Sequence, residues 1–360
     1  MPTLPVQPDQ VPDLQPVLRH FDDLDDGNGA VAAHTLATVP VSGGLINATY
    51  ALGQHFILQR LHRIFAPEVN ADIAALTPIL RAAGVPVPAI LPSRAGQPWV
   101  YIDDAEHPLH GAWRILTRLA GHTRHQLANP AQAQAAGAMV GRFHSALLGC
   151  DHRFAFTRPG AHDTAIHMAK LLKNVTELSQ HRLHAQVAPL AAQVLQRWAR
   201  WGSVPSLPSR LIHGDLKVSN LLFDGDTVCG VIDLDTMAHG SLDMELGDAM
   251  RSWCNATTED DPAPCFVVDT FAGAMRGYLP VTHGWLSAAE RQAIANGTER
   301  ICLELAARFL TDALLENYFG FEPLRYSTRG DHNLVRGRNQ LLLAADVALK
   351  LPQLQAITQL

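Results

Sequence analysis

Two segments constrain the fold of this chain more than any other feature: His213–Asn220, with the sequence His-Gly-Asp-Leu-Lys-Val-Ser-Asn, and Val231–Asp235. Between them lie an apolar run, the turn residues Asp224–Thr227 and a second apolar run. Two apolar runs that flank a glycine-containing turn predict a β-hairpin. Folding this hairpin brings Asn220 and Asp233 to its open end, roughly opposite each other. Two oxygen donors at that position suit Mg²⁺, which prefers hard oxygen ligands.

The spacing within these segments is typical of kinases, in which a loop of the form H-R-D-x-x-x-x-N precedes a metal-binding Asp. Asp215 and Asn220 keep the separation found in that loop, and Gly214 replaces its Arg. Either segment alone could be an ordinary turn or strand end. Their combination, joined by a hairpin, favours a catalytic site in which Asp215 is the catalytic residue and Asn220 and Asp233 are the metal ligands.

The composition of the chain limits its organisation and its partners. A chain of 360 residues exceeds one ordinary hydrophobic core, which predicts two lobes. No apolar stretch approaches the roughly 20 residues that span a bilayer, and no secretory signal is visible. The five cysteines are scattered, which fits a reducing cytoplasm. The net charge of −6 argues against nucleic acid as a partner. We therefore expect a cytoplasmic protein without a nucleic-acid or membrane partner.

The order of the predicted elements changes near residue 120, from strands to helices. After a Pro- and Gln-rich stretch of about 20 residues, which we expect to be extended or poorly ordered at its very end, the pattern is β-β-β-α-β-β. These strands are predicted after Ala37 and at Ile46–Leu52, Phe56–Leu61, Trp99–Ile102 and Trp113–Leu119, with a helix from Pro67. Residues 1–120 are therefore predicted to form a small N-lobe, a five-stranded sheet plus a helix.

The sequence pattern of residues 121–360 predicts a larger, mostly helical C-lobe that contains the catalytic loop and the acceptor site. Helical periodicity recurs along this part of the sequence. The predicted helices lie at about 130–148, 162–201, 243–255, 263–278, 287–317 and 332–349. The fold class predicted for the whole chain is therefore α+β with two lobes.

The stretch Ser42–Tyr50 is a glycine-rich turn between two strands, so it fits neither a P-loop nor a dinucleotide-binding turn, which lead into a helix. It is either an ordinary hairpin or a cover over nucleotide phosphates, where missing side chains let backbone N–H groups approach the anion. In the second case its candidate nucleotide contacts are Ser42, Gly43, Gly44, Asn47 and Thr49. The connection after the fifth strand would offer the backbone of Arg118 and Ala120 to the adenine edge.

A kinase of this type also needs a cation on the third strand to hold the phosphates, and no Lys is present there. Arg60 is the candidate, with a surface Arg at a strand end as the alternative. Alternation along the strand places Leu58 and Arg60 on one face, so Leu58 would touch the adenine. The acidic partner of Arg60 could be Glu68 or Asp72, and the sequence does not choose between them.

These residues resemble the aminoglycoside phosphotransferase and choline kinase superfamily, through His213–Asp215, Asn220 and Ile232–Asp233. Within that superfamily the chain looks most like the N-acetylhexosamine 1-kinases. The stretches that carry this closer resemblance are Ser42–Tyr50, Ile57–Leu61, Trp113–Leu116, Ile232–Thr236, Gly247–Arg251, Arg308–Asp312 and His332–Arg336. The resemblance runs from about residue 37 to 350 and implies a protein-kinase-like fold that uses ATP and Mg²⁺.

The resemblance also implies a reaction, the ATP-dependent phosphorylation of the anomeric 1-hydroxyl of an N-acetylhexosamine or a related sugar. Asp215 would orient that hydroxyl and accept its proton. Asn220 and Asp233 would hold Mg²⁺, and Arg60 would hold the phosphates. Three further residues are candidates for contacts to the sugar, although each could equally form an ion pair that stabilises the fold: Asp235, Arg251 and Arg308.

Other functions remain open. An aminoglycoside kinase would need an acidic pocket for a polycation, whereas the acids from Asn296 onward are matched by as many bases. Related kinases act on small alcohols such as homoserine or choline. A pseudokinase that binds nucleotide without turnover is a third possibility, suggested by the missing third-strand Lys and opposed by the presence of Asp215, Asn220 and Asp233.

Overall fold

The computed structural model describes residues 12–26, 29–41 and 47–359, and the chain forms two compact units. The first unit contains the N-terminal part of the chain and two later segments: Met1–Ala120, Asp151–Thr157 and Gly230–Asp235. The second unit contains the remainder: Gly121–Cys150, Arg158–Cys229 and Thr236–Leu360. The small β-rich N-terminal region and the larger helical C-terminal region confirm the predicted α+β class.

The first unit is built on an antiparallel sheet of six strands. Its elements in chain order are α1 (Gln15–Leu18), β1 (Asp23–Asp25), β2 (Ala30–Ala32), β3 (Thr38–Pro40), β4 (Ala48–Leu52), β5 (Phe56–Arg60), α2 (Val69–Ala82), β6 (Ile90–Leu91), β7 (Val100–Ile102) and β8 (Gly111–Thr117). The strand order is β3-β4-β5-β8-β6, with β7 also paired to β8. The five predicted strands are present. The sixth, β6, was missed because it has only two residues and lies among prolines.

The two faces of this sheet differ in what covers them. Residues paired directly across strands share a face, so Leu58 lies beside Ile115 and Arg60 beside Trp113. This face packs against apolar residues from the N-terminal segment in one core cluster. The opposite face carries Gln59, which is paired with Arg114. The side chain of Arg114 reaches α2 on this second face.

From residue 12 onward the N-terminal segment is part of that core, which corrects the prediction of an extended or poorly ordered stretch for this part of it. Residues 1–11 lie outside the described residues, but α1 follows them, with Pro16 in its first turn, where proline is well tolerated. Val17 and Leu18 are fully buried, and Phe21 is buried beyond the helix. Burial of these apolar side chains on the sheet stabilises a short helix that its own propensity would not maintain.

The second unit is mostly helical. Its elements in chain order are β9 (His122–Thr123), α3 (Pro130–Ala146), α4 (Thr164–Glu177), α5 (His184–Ala199), β10 (Arg210–Ile212), β11 (Leu221–Asp224), β12 (Thr227–Val231, whose last two residues belong to the first unit), β13 (Ala238–Gly240), α6 (Leu242–Trp253), α7 (Val268–Thr282), α8 (Ala288–Leu315) and α9 (Arg329–Thr358). The strands β11 and β12 are neighbours and confirm the predicted hairpin.

The helices follow the predicted pattern with three differences, one of which is that the helix predicted at 263–278 is α7 at Val268–Thr282. The stretch predicted as helical at 162–201 is divided into α4 and α5, and α9 continues to Thr358 with Pro352 inside it. By length and hydropathy α9 could also cross a membrane, a test that a core helix passes as well. Asn339, which is buried in α9, donates to the carbonyl groups of Thr258 and Asp261 within the second unit.

Candidate active site

The segment that begins at His213 is positioned by a short sheet and by one buried carboxylate. The strand β10 pairs with β13 and leads directly into His213. Glu245 of α6 is fully buried and accepts the backbone N–H groups of His213 (2.8 Å) and Gly214 (2.9 Å). Nε2 of His144 lies 3.3 Å from the same carboxylate. Glu245 therefore fixes the backbone immediately before Asp215.

The protonation state of Glu245 supports this role. Burial raises the pKa of Glu245, but the hydrogen bonds from His144 and Gly214 and the nearby imidazoles of His144 and His213 lower it. The net pKa lies below its ordinary value of 4.5, so the carboxylate is charged at neutral pH. Charged acceptors form stronger hydrogen bonds than neutral ones. The segment is thus held by charge-assisted bonds inside the second unit.

Gly214 is required by the shape of the segment. Its φ is +80°, in the left-handed region, and a Cβ at this position would lie 2.4 Å from the carbonyl oxygen of Thr236. A side chain therefore meets both backbone strain and a backbone atom that cannot move aside easily. This geometry accounts for glycine at the position where the protein-kinase loop has Arg.

Asp215 lies among groups that keep it ionised. Its carboxylate accepts bonds from Nζ of Lys217 at 2.5 Å and from Nδ2 of Asn220 at 3.0 Å, and its side chain is 25% exposed. Burial raises the pKa of Asp215, but the charge and hydrogen bond of Lys217, the imidazole of His213 and the bond from Asn220 lower it. The net pKa is below its ordinary value, so Asp215 is a negatively charged acceptor at neutral pH.

Glu245 and Lys217 were missed in the sequence. The signal for Lys217 is its position two residues after Asp215 within the same loop, where its side chain returns to the carboxylate. Glu245 gives no local signal, because a carboxylate on a helix is more often solvated than buried.

In the first unit, Asp233 adopts an unusual backbone conformation and Asp235 is buried. The φ of Asp233 is +66°, which costs a non-glycine residue about 1–3 kcal/mol and occurs preferentially at functional sites. Asp235 is 1% exposed and forms a bidentate ion pair with Arg114 of β8, with distances of 2.5 and 2.9 Å. Asp235 is therefore engaged in an ion pair, which was the alternative to its predicted sugar contact.

Two more polar side chains complete the environment of Arg114. Its Nε and one terminal nitrogen donate to Oε1 of Gln59, at 3.0 and 2.8 Å, and its other terminal nitrogen donates to Oδ1 of Asn70 at 3.0 Å. These bonds join β5, β8 and α2. The signal that could have identified Arg114 is a single charged residue within the apolar run of β8, which must find a partner when it is buried.

Two predicted nucleotide contacts are connected to this cluster. Asn47 donates from Nδ2 to Asp235 at 2.7 Å and accepts the backbone N–H of His62 at 2.9 Å. Thr49 accepts a bond from Gln59 at 3.1 Å. The glycine-rich turn itself, Ser42, Gly43 and Gly44, lies outside the described residues, so its predicted role over the phosphates stays a prediction.

Arg60 lies on the other face of the sheet from Arg114. Its guanidinium donates to the carbonyl group of Pro108 at 2.8 Å and lies 5.8 Å from the ring centroid of Trp113. Leu58 on the same face is fully buried in the core cluster, so the prediction that Leu58 touches the adenine is wrong. Leu58 and Arg60 share one face of the strand, as predicted. The sequence did not indicate that the N-terminal segment covers this face.

The predicted acidic partners of Arg60 are placed elsewhere. Asp72 accepts the backbone N–H groups of Ala155 (2.8 Å) and Phe156 (3.0 Å), and its carboxylate lies 2.9 Å from Nε2 of His152. Among residues 12–26, 29–41 and 47–359, no acid forms an ion pair with Arg60, Glu68 included. Asp72 instead holds segment 151–157 against α2 within the first unit.

The remaining predicted residues lie in ordinary polar contacts. The backbone N–H of Arg118 donates to the carbonyl group of His55 at 2.7 Å, and Ala120 is exposed at the end of the first unit. Arg251 is 7% exposed and pairs with Asp248 and Glu259.

Arg308 is more accessible than Arg251. One of its terminal nitrogens lies 3.8 Å from Glu304, and its guanidinium lies 5.6 Å from the ring centroid of Phe319. Glu304 also contacts His162, whose Nε2 is 3.3 Å from the carbonyl oxygen of Gly214. Of the three predicted sugar contacts, Arg308 is thus connected to the Asp215 loop through two intervening side chains.

Comparison with known proteins finds homoserine kinases among the relatives of this chain. A homoserine kinase of Pseudomonas aeruginosa (strain UCBPP-PA14) is 30% identical over 193 residues, which cover 52% of this chain and 55% of that relative. The chain thus spans about half the length of that relative. A homoserine kinase of Methylobacillus flagellatus is 26% identical over 285 residues, which cover 78% of this chain and 79% of the relative.

Solved structures show the same fold at lower identity. A microcompartment-associated aminopropanol kinase has a TM-score of 0.60 at 19% identity and covers 94% of this chain and 97% of its own. An aminoglycoside phosphotransferase from Alicyclobacillus acidocaldarius has a TM-score of 0.57 at 12% identity, and the match covers 97% of this chain and 98% of that protein. The model of the phosphotransferase enzyme family matches residues 37–275. This match includes the Asp215 loop and the Asp233 turn, and the chain belongs to the phosphotransferase enzyme family.

Proposed function

We propose that this chain is an ATP-dependent kinase that phosphorylates the hydroxyl group of a small molecule, with Asp215 as the catalytic residue. The observation that carries the proposal is the Asp215 carboxylate, which is partly exposed and kept ionised by Lys217 and Asn220. It follows a backbone segment fixed by Glu245. An ionised carboxylate in a fixed position is the arrangement required to orient a hydroxyl group and to accept its proton.

The proposed reaction needs little covalent chemistry from the protein. The acceptor oxygen forms a bond to the γ-phosphorus while the bond between that phosphorus and the β–γ bridging oxygen breaks, which releases ADP. The proton of the acceptor hydroxyl passes to Asp215. Positioning and charge neutralisation supply most of the rate enhancement in phosphoryl transfer.

Mg²⁺ and ATP are part of the proposal. The amide nitrogen of Asn220 donates to the carbonyl and carboxylate oxygens of Asp215, so the amide oxygen of Asn220 is the atom offered to a cation. We assign the second ligand to Asp233. Among the described residues no group of three His, Cys, Asp or Glu side chains could hold a metal. Mg²⁺ takes few protein ligands and completes its shell with water and nucleotide phosphates, so an amide oxygen and a carboxylate are suitable ligand types. Solved structures with the same fold include an amicoumacin kinase in complex with AMP-PNP and an aminoglycoside phosphotransferase with bound ADP.

The acceptor we favour is a small alcohol of the homoserine type. The support is the identity to homoserine kinases, one of which aligns over 78% of this chain. An N-acetylhexosamine is the second candidate, supported by the motifs Gly247–Arg251, Arg308–Asp312 and His332–Arg336. An aminoglycoside is third, because the balanced charges after Asn296 do not suit a polycation.

A phosphorylation assay with purified protein and Mg·ATP tests both parts of the proposal. The acceptors are homoserine, N-acetylglucosamine, N-acetylgalactosamine and kanamycin, and the product is identified by mass and by ³¹P NMR. We expect turnover on homoserine or a close analogue. With the best acceptor, Asp215→Asn should lower kcat by about 10²–10⁴-fold, because general-base catalysis contributes on that order.

The binding of Mg·ATP to Asp215→Asn, measured in parallel, should change little. If this variant retained the wild-type turnover, the assignment of Asp215 would be wrong. Nucleotide binding by the wild type without turnover on any acceptor in the panel would favour the pseudokinase. Turnover restricted to the N-acetylhexosamines would establish the second candidate instead.

A further inference from the structure

We infer that Arg114 and Asp235 form a positioning pair. The pair holds the turn at Asp233, which we expect to bind the metal, and Asn47, which follows the glycine-rich turn. In this arrangement no cation on β5, the strand that carries Arg60, binds the phosphates. This inference rests on the proposed function, since it assumes that Asp233 binds the metal of Mg·ATP. In protein kinases an ion pair between a strand lysine and a helix glutamate organises the nucleotide site. We infer that the buried pair of Arg114 and Asp235 takes this organising role here.

The donor count of Arg114 excludes a direct contact to phosphate. A guanidinium has five N–H donors. All five are used in the structure: two by Asp235, two by Oε1 of Gln59 and one by Asn70. The side chain is 3% exposed. Arg114 would have to give up one of these five bonds before it could reach an anion.

The location of the pair decides what it positions. Asp235 is two residues beyond Asp233, and the backbone turns between them in a short 3₁₀ helix that starts at Leu234. Asp233 has a positive φ, a conformation that persists only where its surroundings enforce it. The bidentate bond from Arg114 fixes the carboxylate at the far side of this turn, because two parallel bonds also fix the orientation.

The same carboxylate is connected to the glycine-rich hairpin. Asn47, which directly follows the turn residues of that hairpin, donates to Asp235 at 2.7 Å and is fixed by the N–H of His62. One buried carboxylate therefore fixes both the turn that follows Asp233 and Asn47, which immediately precedes β4. Arg60, the candidate from the sequence, lies on the opposite face and donates to Pro108.

The test separates metal-dependent from metal-independent nucleotide binding. The dissociation constant of a fluorescent N-methylanthraniloyl ATP is measured with Mg²⁺ and with EDTA, and their ratio gives the enhancement by the metal. We expect Arg114→Met and Asp235→Asn to reduce this enhancement by about 10- to 100-fold, the usual effect of residues that orient metal ligands. The dissociation constant in EDTA should change by less than about threefold, because Arg114 does not touch phosphate.

Two further variants distinguish positioning from folding. Arg114→Met/Asp235→Leu leaves no unpaired buried charge and should regain part of the thermal stability that each single variant loses. Its enhancement by Mg²⁺ should remain low. Arg94→Gln removes an exposed pair with Asp22 in the same unit and serves as the matched control.

Four results would overturn the inference. The first is unchanged enhancement in Arg114→Met. The second is an equal loss of binding in EDTA, which would make Arg114 a phosphate ligand. The third is full recovery of the enhancement in the double variant, which would make the pair structural only. The fourth is weaker nucleotide binding by Arg60→Met, measured in the same assay, without a loss in Arg114→Met, which would make Arg60 the phosphate ligand. Absence of nucleotide binding by the wild type would instead reject the proposed function itself.

Discussion

Glu245→Gln is the perturbation that most directly tests how the Asp215 loop is held. In the wild type Oε1 accepts the N–H of His213 and lies near His144, while Oε2 accepts the N–H of Gly214. Glutamine keeps one oxygen, so the amide group must face one of these donors with its own N–H. The variant loses at least one charge-assisted bond outright and weakens the others.

The magnitude follows from the number of bonds. Hydrogen bonds to charged groups contribute about 1.5–3 kcal/mol each, and a buried donor left without an acceptor costs about 1–3 kcal/mol. We therefore expect Glu245→Gln to lower the free energy of unfolding by about 2–4 kcal/mol. Displacement of the backbone before Asp215 should also lower kcat with the best acceptor.

Urea unfolding at pH 7 measures the change in stability, with Glu177→Gln as the control. Glu177 is exposed and lies 4.0 Å from Lys173, so its replacement should change the unfolding free energy by less than about 1 kcal/mol. Equal, small losses in both variants would refute the claim that Glu245 holds the loop.

The pH dependence of Glu245→Gln gives a second check with a defined sign. The pKa of Glu245 in the folded protein lies below its ordinary value of 4.5. Its contribution to stability is therefore fully present above pH 4.5 and is lost as the pH falls through the folded pKa. The difference in unfolding free energy between wild type and variant should be largest above pH 4.5 and should narrow below it. A difference that widened on acidification would contradict this sign.

Two further substitutions test backbone segments whose conformation the structure fixes, one at Gly214 and one at the loop 317–319. Gly214→Ala should lower the free energy of unfolding by more than about 2 kcal/mol, because the left-handed conformation costs about 1–2 kcal/mol and the Cβ meets the Thr236 carbonyl oxygen at 2.4 Å. Urea unfolding measures this loss. The control is Gly225→Ala, at φ +57° with open space around it, which should show only the conformational cost. Asp312→Asn should lower the free energy of unfolding by about 2–4 kcal/mol, since Asp312 accepts the three backbone N–H groups of residues 317–319. The variant should also be cleaved faster at 317–319 in limited proteolysis. A loop as resistant as in the wild type would contradict this.

The sequence determined the fold class and the central loop. The periodicity of apolar residues is a local property, so it located the five longer strands of the sheet, the hairpin around Gly225 and most helices. The spacing of Asp215 and Asn220 is equally local, and the structure brings these side chains within 3.0 Å of each other. Interactions within a few residues leave a pattern in the sequence because neighbouring positions must satisfy them together.

Only the tertiary structure decided which side of the sheet each residue faces and which charges meet. Strand alternation placed Leu58 and Arg60 on one face, but whether that face is covered depended on the distant segment that contains α1. The pairing of Arg114 with Asp235 joins residues far apart in the chain, as does the contact of Glu245 with His213. Buried charges find partners wherever the fold brings one within reach, and separation along the chain carries no information about that distance.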